Sequence, residues 1–163
     1  MQSPFALVLW LFLCFATAGV GSIPTASALK TWYPSLRKPS WNPPNWLFGP
    51  VWTALYFLMA VAAWNAWNSN SAVRNLSIAL FVIQLVLNGL WSWIYFGWKS
   101  PGAAFAEIIV LWIAIIATIL GFTQVSPLAA ALMAPYLAWV SFASCLNFAI
   151  WRLNSTEHPA ATN

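Results

Sequence analysis

Apolar residues run through this chain in blocks too long for the buried helices of an ordinary soluble domain, with short polar breaks between them. Reading for apolar runs of about 20 residues predicts five helices, over roughly 5–27, 46–68, 75–98, 102–124 and 127–152. The breaks carry helix stop and start signals. Asn65 to Asn70, with Ser69 and Ser71, closes the second run. Lys99-Ser100-Pro101-Gly102 parts the third from the fourth, and Gln124-Val125-Ser126-Pro127 the fourth from the fifth. Each puts a proline near a new helix start, where its missing N–H costs nothing. The pattern predicts an all-α integral membrane protein, one five-helix membrane domain over 1–153. A loop over 28–45 and a polar, disordered tail over 154–163 complete it.

Composition removes the soluble alternative. Hydrophobic residues make up 62% of the 163 and charged residues 5%, against roughly 25% charged in a soluble domain. The net charge of +4 is too thinly spread for a nucleic-acid surface. Ala26-Ser27-Ala28 has the small-residue pattern of a signal cleavage site. However, no basic residue precedes Lys30 and the first apolar run exceeds a signal core, so this run is expected to be a true span. With five spans, Lys30, Arg37, Lys38, Lys99 and Arg152 share one side of the membrane and Arg74 stands opposite. That asymmetry predicts a cytoplasmic C-terminus and an N-terminus outside.

Thirteen tryptophans bring the candidate chemistry. Indoles favour the bilayer interface or the walls of ligand pockets. Trp10, Trp32, Trp46, Trp67, Trp98 and Trp151 fall near span ends, where a belt role suffices. Trp52, Trp91 and Trp139 fall deeper, where it does not. Helical spacing aligns Trp52 with Tyr56 on the second span and Gln84, Asn88, Trp91 and Tyr95 on the third. On the fifth it aligns Tyr136, Trp139, Ala143 and Leu146, with Asn147 beside them. Amides in hydrocarbon should point into the bundle. There they serve either as interhelical glue or as the few oriented polar groups of an apolar pocket, and the spacing leaves both readings open. The segment Lys38-Pro39-Ser40-Trp41-Asn42-Pro43-Pro44-Asn45-Trp46 is a stiff aromatic collar before the second helix and suits a large, flat, apolar ligand.

Other candidates carry less. Glu107 is the one acid inside the spans; close to its helix start, it is expected to be neutral or to reach headgroups or water, with a proton relay the lesser alternative. Cys14, Cys145 and the isolated His158 make no metal site. Two carboxylates in reach of each other, a Ser–His pair and a phosphate loop are all lacking, so conventional acid–base or nucleophilic catalysis is not expected. Leu146 to Arg152 approximates a sterol-contact pattern, but Phe148 stands where it requires Tyr, and an aromatic belt closed by a snorkelling Arg is favoured.

These stretches together resemble the TspO/translocator-protein family, also called tryptophan-rich sensory proteins or peripheral-type benzodiazepine receptors. The likeness rests on Trp32-Tyr33 through Pro43-Pro44 and on Phe48-Gly49-Pro50-Val51-Trp52-Thr53-Ala54-Leu55-Tyr56. It continues with Asn88 and Trp91, Gln124-Val125-Ser126-Pro127-Leu128-Ala129, Pro135-Tyr136-Leu137-Ala138-Trp139 and Leu146-Asn147 through Trp151-Arg152. It implies a five-helix bundle, often a homodimer, binding porphyrins such as protoporphyrin IX, sterols and benzodiazepine-type ligands, with no intrinsic cofactor. The family's pocket positions fall on Trp52, Asn88, Trp139, Ala143 and Leu146, and its lid on Trp32, Pro43 and Pro44. Tyr56, Trp91, Tyr136 and Asn147 join the candidate lining from their helical faces. Some members are reported to promote light-dependent porphyrin breakdown, for which Trp52 and Trp139 would be the candidates here. Receptor or sensor is the leading expectation. Transport and photo-oxidative breakdown are the alternatives, although five spans without an internal repeat give transport no support.

Overall fold

A computed structural model describes residues 3–155. His158 and most of the predicted tail lie outside the described residues. Among the described residues five helices are long and apolar enough to cross a membrane: α1 (Pro4–Thr31), α2 (Asn45–Trp67), α3 (Arg74–Ser92), α4 (Pro101–Thr123) and α5 (Pro127–Ser155). Pro4, Pro101 and Pro127 each stand at a helix start. The Ser3 hydroxyl caps α1 by accepting the Ala6 N–H at 3.4 Å. Going round the bundle the helices stand α1, α2, α5, α4, α3, with α3 closing back on α1.

Two boundaries differ from the predicted ones. α1 runs through Pro24 to Thr31, past the predicted end at 27. Inside a bilayer an unravelled segment leaves several backbone groups unpaired, whereas a proline within a helix leaves one, so the helix continues. α5 likewise runs on, so Asn154 and Ser155 are helical rather than part of a disordered tail. The Asn154 side chain accepts the Arg37 N–H at 3.0 Å and donates to the Arg37 carbonyl at 2.9 Å. This ties the first loop to the end of the bundle.

α3 ends in a π-helical turn, Trp93–Gly97, in which the Trp98 N–H reaches back five residues to the Trp93 carbonyl at 2.8 Å. Lys99 then adopts a positive φ of 53°, a left-handed residue that turns the chain sharply into α4 at a cost of about 1 kcal/mol. Glycines bring helices close where a side chain would collide. A Cβ on Gly121 would stand 2.9 Å from Ser77 Oγ, and one on Gly21 would stand 3.1 Å from Ser92 Oγ.

Burial divides the tryptophans differently from the belt expectation. Trp46 and Trp98 are indeed largely exposed. Trp10 is buried instead, with its ring edge-on to Phe81 at 5.6 Å and near Trp67 at 5.9 Å. It stands one and a half turns into α1, on the face that meets α2 and α3, so packing overrides the interface preference of indole.

Candidate ligand-binding site

Towards the end of the bundle carrying the first loop, α1, α2, α3 and α5 stand apart around a cavity of about 590 Å³. Pockets that take drug-sized ligands span roughly 300–1,000 Å³. α4 contributes nothing to the lining. Trp52 and Tyr56 enter from α2, Asn88 and Trp91 from α3, and Trp139, Ala143, Leu146 and Asn147 from α5. The structure thus gathers eight of the nine candidate lining residues. The ninth, Tyr136, is fully buried behind the wall. It lies one turn from Trp139 but rotated towards α3, where its hydroxyl accepts the Asn88 Nδ2–H at 2.9 Å.

The two buried amides of the cavity are held in two short chains. The Tyr56 hydroxyl donates to Asn88 Oδ1, and Asn88 in turn donates to Tyr136, which links α2, α3 and α5 at the cavity floor. Trp91 Nε1 donates to Asn147 Oδ1 at 3.2 Å, and Asn147 Nδ2 to the Pro101 carbonyl at 2.8 Å. Both amides are therefore glue and wall at once. Asn88 keeps one N–H and one oxygen lone pair beyond those contacts. The indole N–H of Trp139 has no partner but is buried away from the hollow, so that ring presents its apolar surface. An apolar cavity thus offers a small number of oriented hydrogen-bonding groups, the combination that fixes a flat apolar ligand's orientation.

Rings close the end of the cavity nearest the loop. Trp91 stacks on Tyr95 at 5.0 Å, Trp32 meets Tyr95 at 5.7 Å and Phe48 meets Trp139 at 5.9 Å. Contacts of this kind contribute about 0.5–1.5 kcal/mol each beyond area burial. The expected lid residues Trp32, Pro43 and Pro44 do not themselves line the cavity; Tyr33, Asn45 and Trp46 do. Pro43 and Pro44 precede α2 and deliver Asn45 to its first turn. Tyr33 lies in a single 3₁₀ turn, Tyr33–Ser35, and donates its hydroxyl to Asn42 Oδ1 at 2.9 Å. Burial pushes its phenol above the ordinary tyrosine range, so the hydroxyl stays protonated and donating.

Two polar residues narrow the expectation. Glu107 was expected to be neutral or to reach the interface; both carboxyl oxygens are buried and without a partner, which removes the second alternative. It sits beside Ala104, Ile108 and Leu111, the stripe α4 turns inward. Gln84 points into the bundle as expected but bonds to nothing through either amide atom. Sequence reasoning missed the α1 wall altogether: Phe15, Ala18, Gly21, Ser22 and Thr25 all line the cavity. Apart from Phe15 these side chains are small and carry no chemical signal, and only the four-residue spacing of Ala18, Ser22 and Ala26 hints at a shared face.

Comparison with known sequences agrees with the arrangement. The profile of the TspO/MBR family matches residues 10–152. The chain belongs to the TspO/MBR family. It is 47% identical over 152 residues to the tryptophan-rich protein TspO of Chlorobaculum tepidum, covering 91% of this chain and 95% of that one. It is 40% identical over 146 residues to the tryptophan-rich sensory protein of Cereibacter sphaeroides, covering 88% and 91%. The human translocator protein is 40% identical over 126 residues, covering 76% of this chain and 75% of its own. Every residue of the TspO/MBR cavity described above falls inside the matched region.

Proposed function

We propose that this membrane protein is a receptor or sensor that binds porphyrins of the protoporphyrin IX type, and other flat hydrophobic molecules, inside the bundle. The observation that carries the reading is the meeting of Trp52, Asn88 and Trp139, from three separate helices, around one hollow of about 590 Å³. A tetrapyrrole would lay its faces against the two indoles. Asn88 would hydrogen-bond its polar edge through the N–H and lone pair left over from Tyr56 and Tyr136. Aromatic contact of this kind is tolerant of the ligand's substituents, because every flat conjugated ring has a π-face. The basic residues flanking the loop support a cytoplasmic mouth for the cavity and an N-terminus outside.

Titration of purified protein with protoporphyrin IX, followed by quenching of Trp fluorescence, tests the reading. Saturation at one ligand per chain is expected, with affinity falling about tenfold or more in Trp139→Ala, the scale of a central aromatic anchor. Unsaturable quenching, or equal affinity in the variant, would remove the cavity from the ligand's path. Flux in proteoliposomes separates transport from binding alone. Loss of porphyrin absorbance only under light separates breakdown from both.

A further inference from the structure

The walls of the cavity are unequal. On the α3 and α5 sides each lining residue is buried or half-buried; of the exposed ones, Asn45 and Trp46 stand at the loop end, and Phe15, Ser22, Ala26, Gly49 and Thr53 lie along α1 and α2. Contacts of Ser3 with Asn68 and of Phe15 with Tyr56 set the antiparallel register of these two helices. That register puts Ser22 level with Gly49 and Ala18 level with Thr53. Side chains of this size leave the gap open, and a Cβ built on Gly49 would meet no atom within 4 Å. The hydroxyls in the gap are satisfied by their own helices: Ser22 donates to the Gly19 carbonyl at 2.7 Å and Thr53 to the Gly49 carbonyl at 2.9 Å. A lipophilic molecule sliding past them meets no hydroxyl seeking a partner.

The loop end is built the opposite way. Trp41 packs on Phe142 at 5.7 Å and Phe48 on Trp139 at 5.9 Å, and Asn154 holds both backbone polar groups of Arg37. Leaving by that end requires several of these contacts to break together. Leaving between α1 and α2 requires only that lipid chains move aside.

We propose that the gap between α1 and α2 is a lateral portal through which a bilayer-dissolved, flat hydrophobic ligand reaches the cavity, with Ser22 and Gly49 setting its width. The proposal rests on the cavity being the ligand site. It makes the hydrocarbon, rather than water, the phase from which the protein samples its ligand. Ligands are then selected first by partitioning into lipid and by thickness, and only afterwards by the polar groups within.

Stopped-flow quenching by protoporphyrin IX of protein held in lipid nanodiscs tests it. Gly49→Phe and Ser22→Phe should slow association and dissociation together by about tenfold, leaving affinity within about threefold. Val20→Phe, a control on the exposed side of α1 turned away from Ser22, should leave both rates within about twofold, as should Asn154→Ala. Unchanged rates in both slot variants, weaker affinity at an unchanged association rate, or faster exchange in Asn154→Ala would overturn the portal while leaving the ligand site standing. Absence of saturable quenching in the unaltered protein would sink both.

Discussion

α2 passes through a filled half and a hollow half of the same bundle, and its sequence changes character between them. In its second half Ala60, Ala62, Ala63 and Ala66 are all fully buried. Methyl groups let the neighbouring backbones approach, which is how membrane helices gain contact without a hydrophobic driving force. Phe81 stacks on Phe122 at 5.9 Å and Trp10 closes over Phe81, so the rings there fill the space the alanines leave. In its first half α2 carries Phe48, Trp52 and Tyr56 instead. Trp52 meets Tyr56 at 5.5 Å and Tyr136 at 6.2 Å, tilted or edge-on. Rigid rings meeting this way hold the helices apart and stand as walls around space they cannot fill. Small residues close one half, and large ones prop the other open.

That contrast can be broken from either side. The largest effect is expected from Phe81→Ala in the filled half: about 3–5 kcal/mol of lost stability, because the void has no route to collapse. Porphyrin affinity per folded molecule should stay constant, and denaturation in detergent read beside ligand titration separates the two. Trp52→Ala is the mirror experiment. Affinity should fall about tenfold, near 1.4 kcal/mol, with a smaller loss of stability than Phe81→Ala, since the ring already lines a hollow. Gln84→Met should be neutral or stabilising by about 1 kcal/mol, because it replaces an amide whose two ends are buried and unpaired. A clear loss of stability there would mean that the amide has a partner such as a trapped water. Tyr33→Phe should have the smallest effect, about 0.5–1 kcal/mol from the lost bond to Asn42. It should be visible as faster proteolysis of the first loop rather than as weaker binding.

Much of this was legible in the sequence because the carriers are unusual residues. Trp52, Trp91, Trp139, Asn88 and Asn147 are conspicuous at membrane depth, and helical spacing alone put each on an inward face. The five spans followed from apolar length. What escaped were features that depend on rotation and register. Tyr136 shares a stripe with Trp139, yet a small rotation of α5 puts its hydroxyl behind Asn88 instead of in the hollow. Trp10 looks like a belt residue until the register of α1 against α2 sets it between Trp67 and Phe81. The π turn at Trp93–Gly97 has no periodic signal, and its widened backbone is fixed by packing at the end of α3. Asn154, polar and near the terminus, resembles the start of a tail. Only the tertiary structure reveals that it grips the Arg37 peptide.

An experimental structure of the protein in lipid with protoporphyrin IX tests the central claim most directly. The account predicts the macrocycle in the hollow half, between the rings of Trp52 and Trp139 and within hydrogen-bond reach of Asn88, with the alanine-lined half unchanged. A porphyrin seated on the outer, lipid-facing surface, with those three side chains closed upon one another, would contradict it.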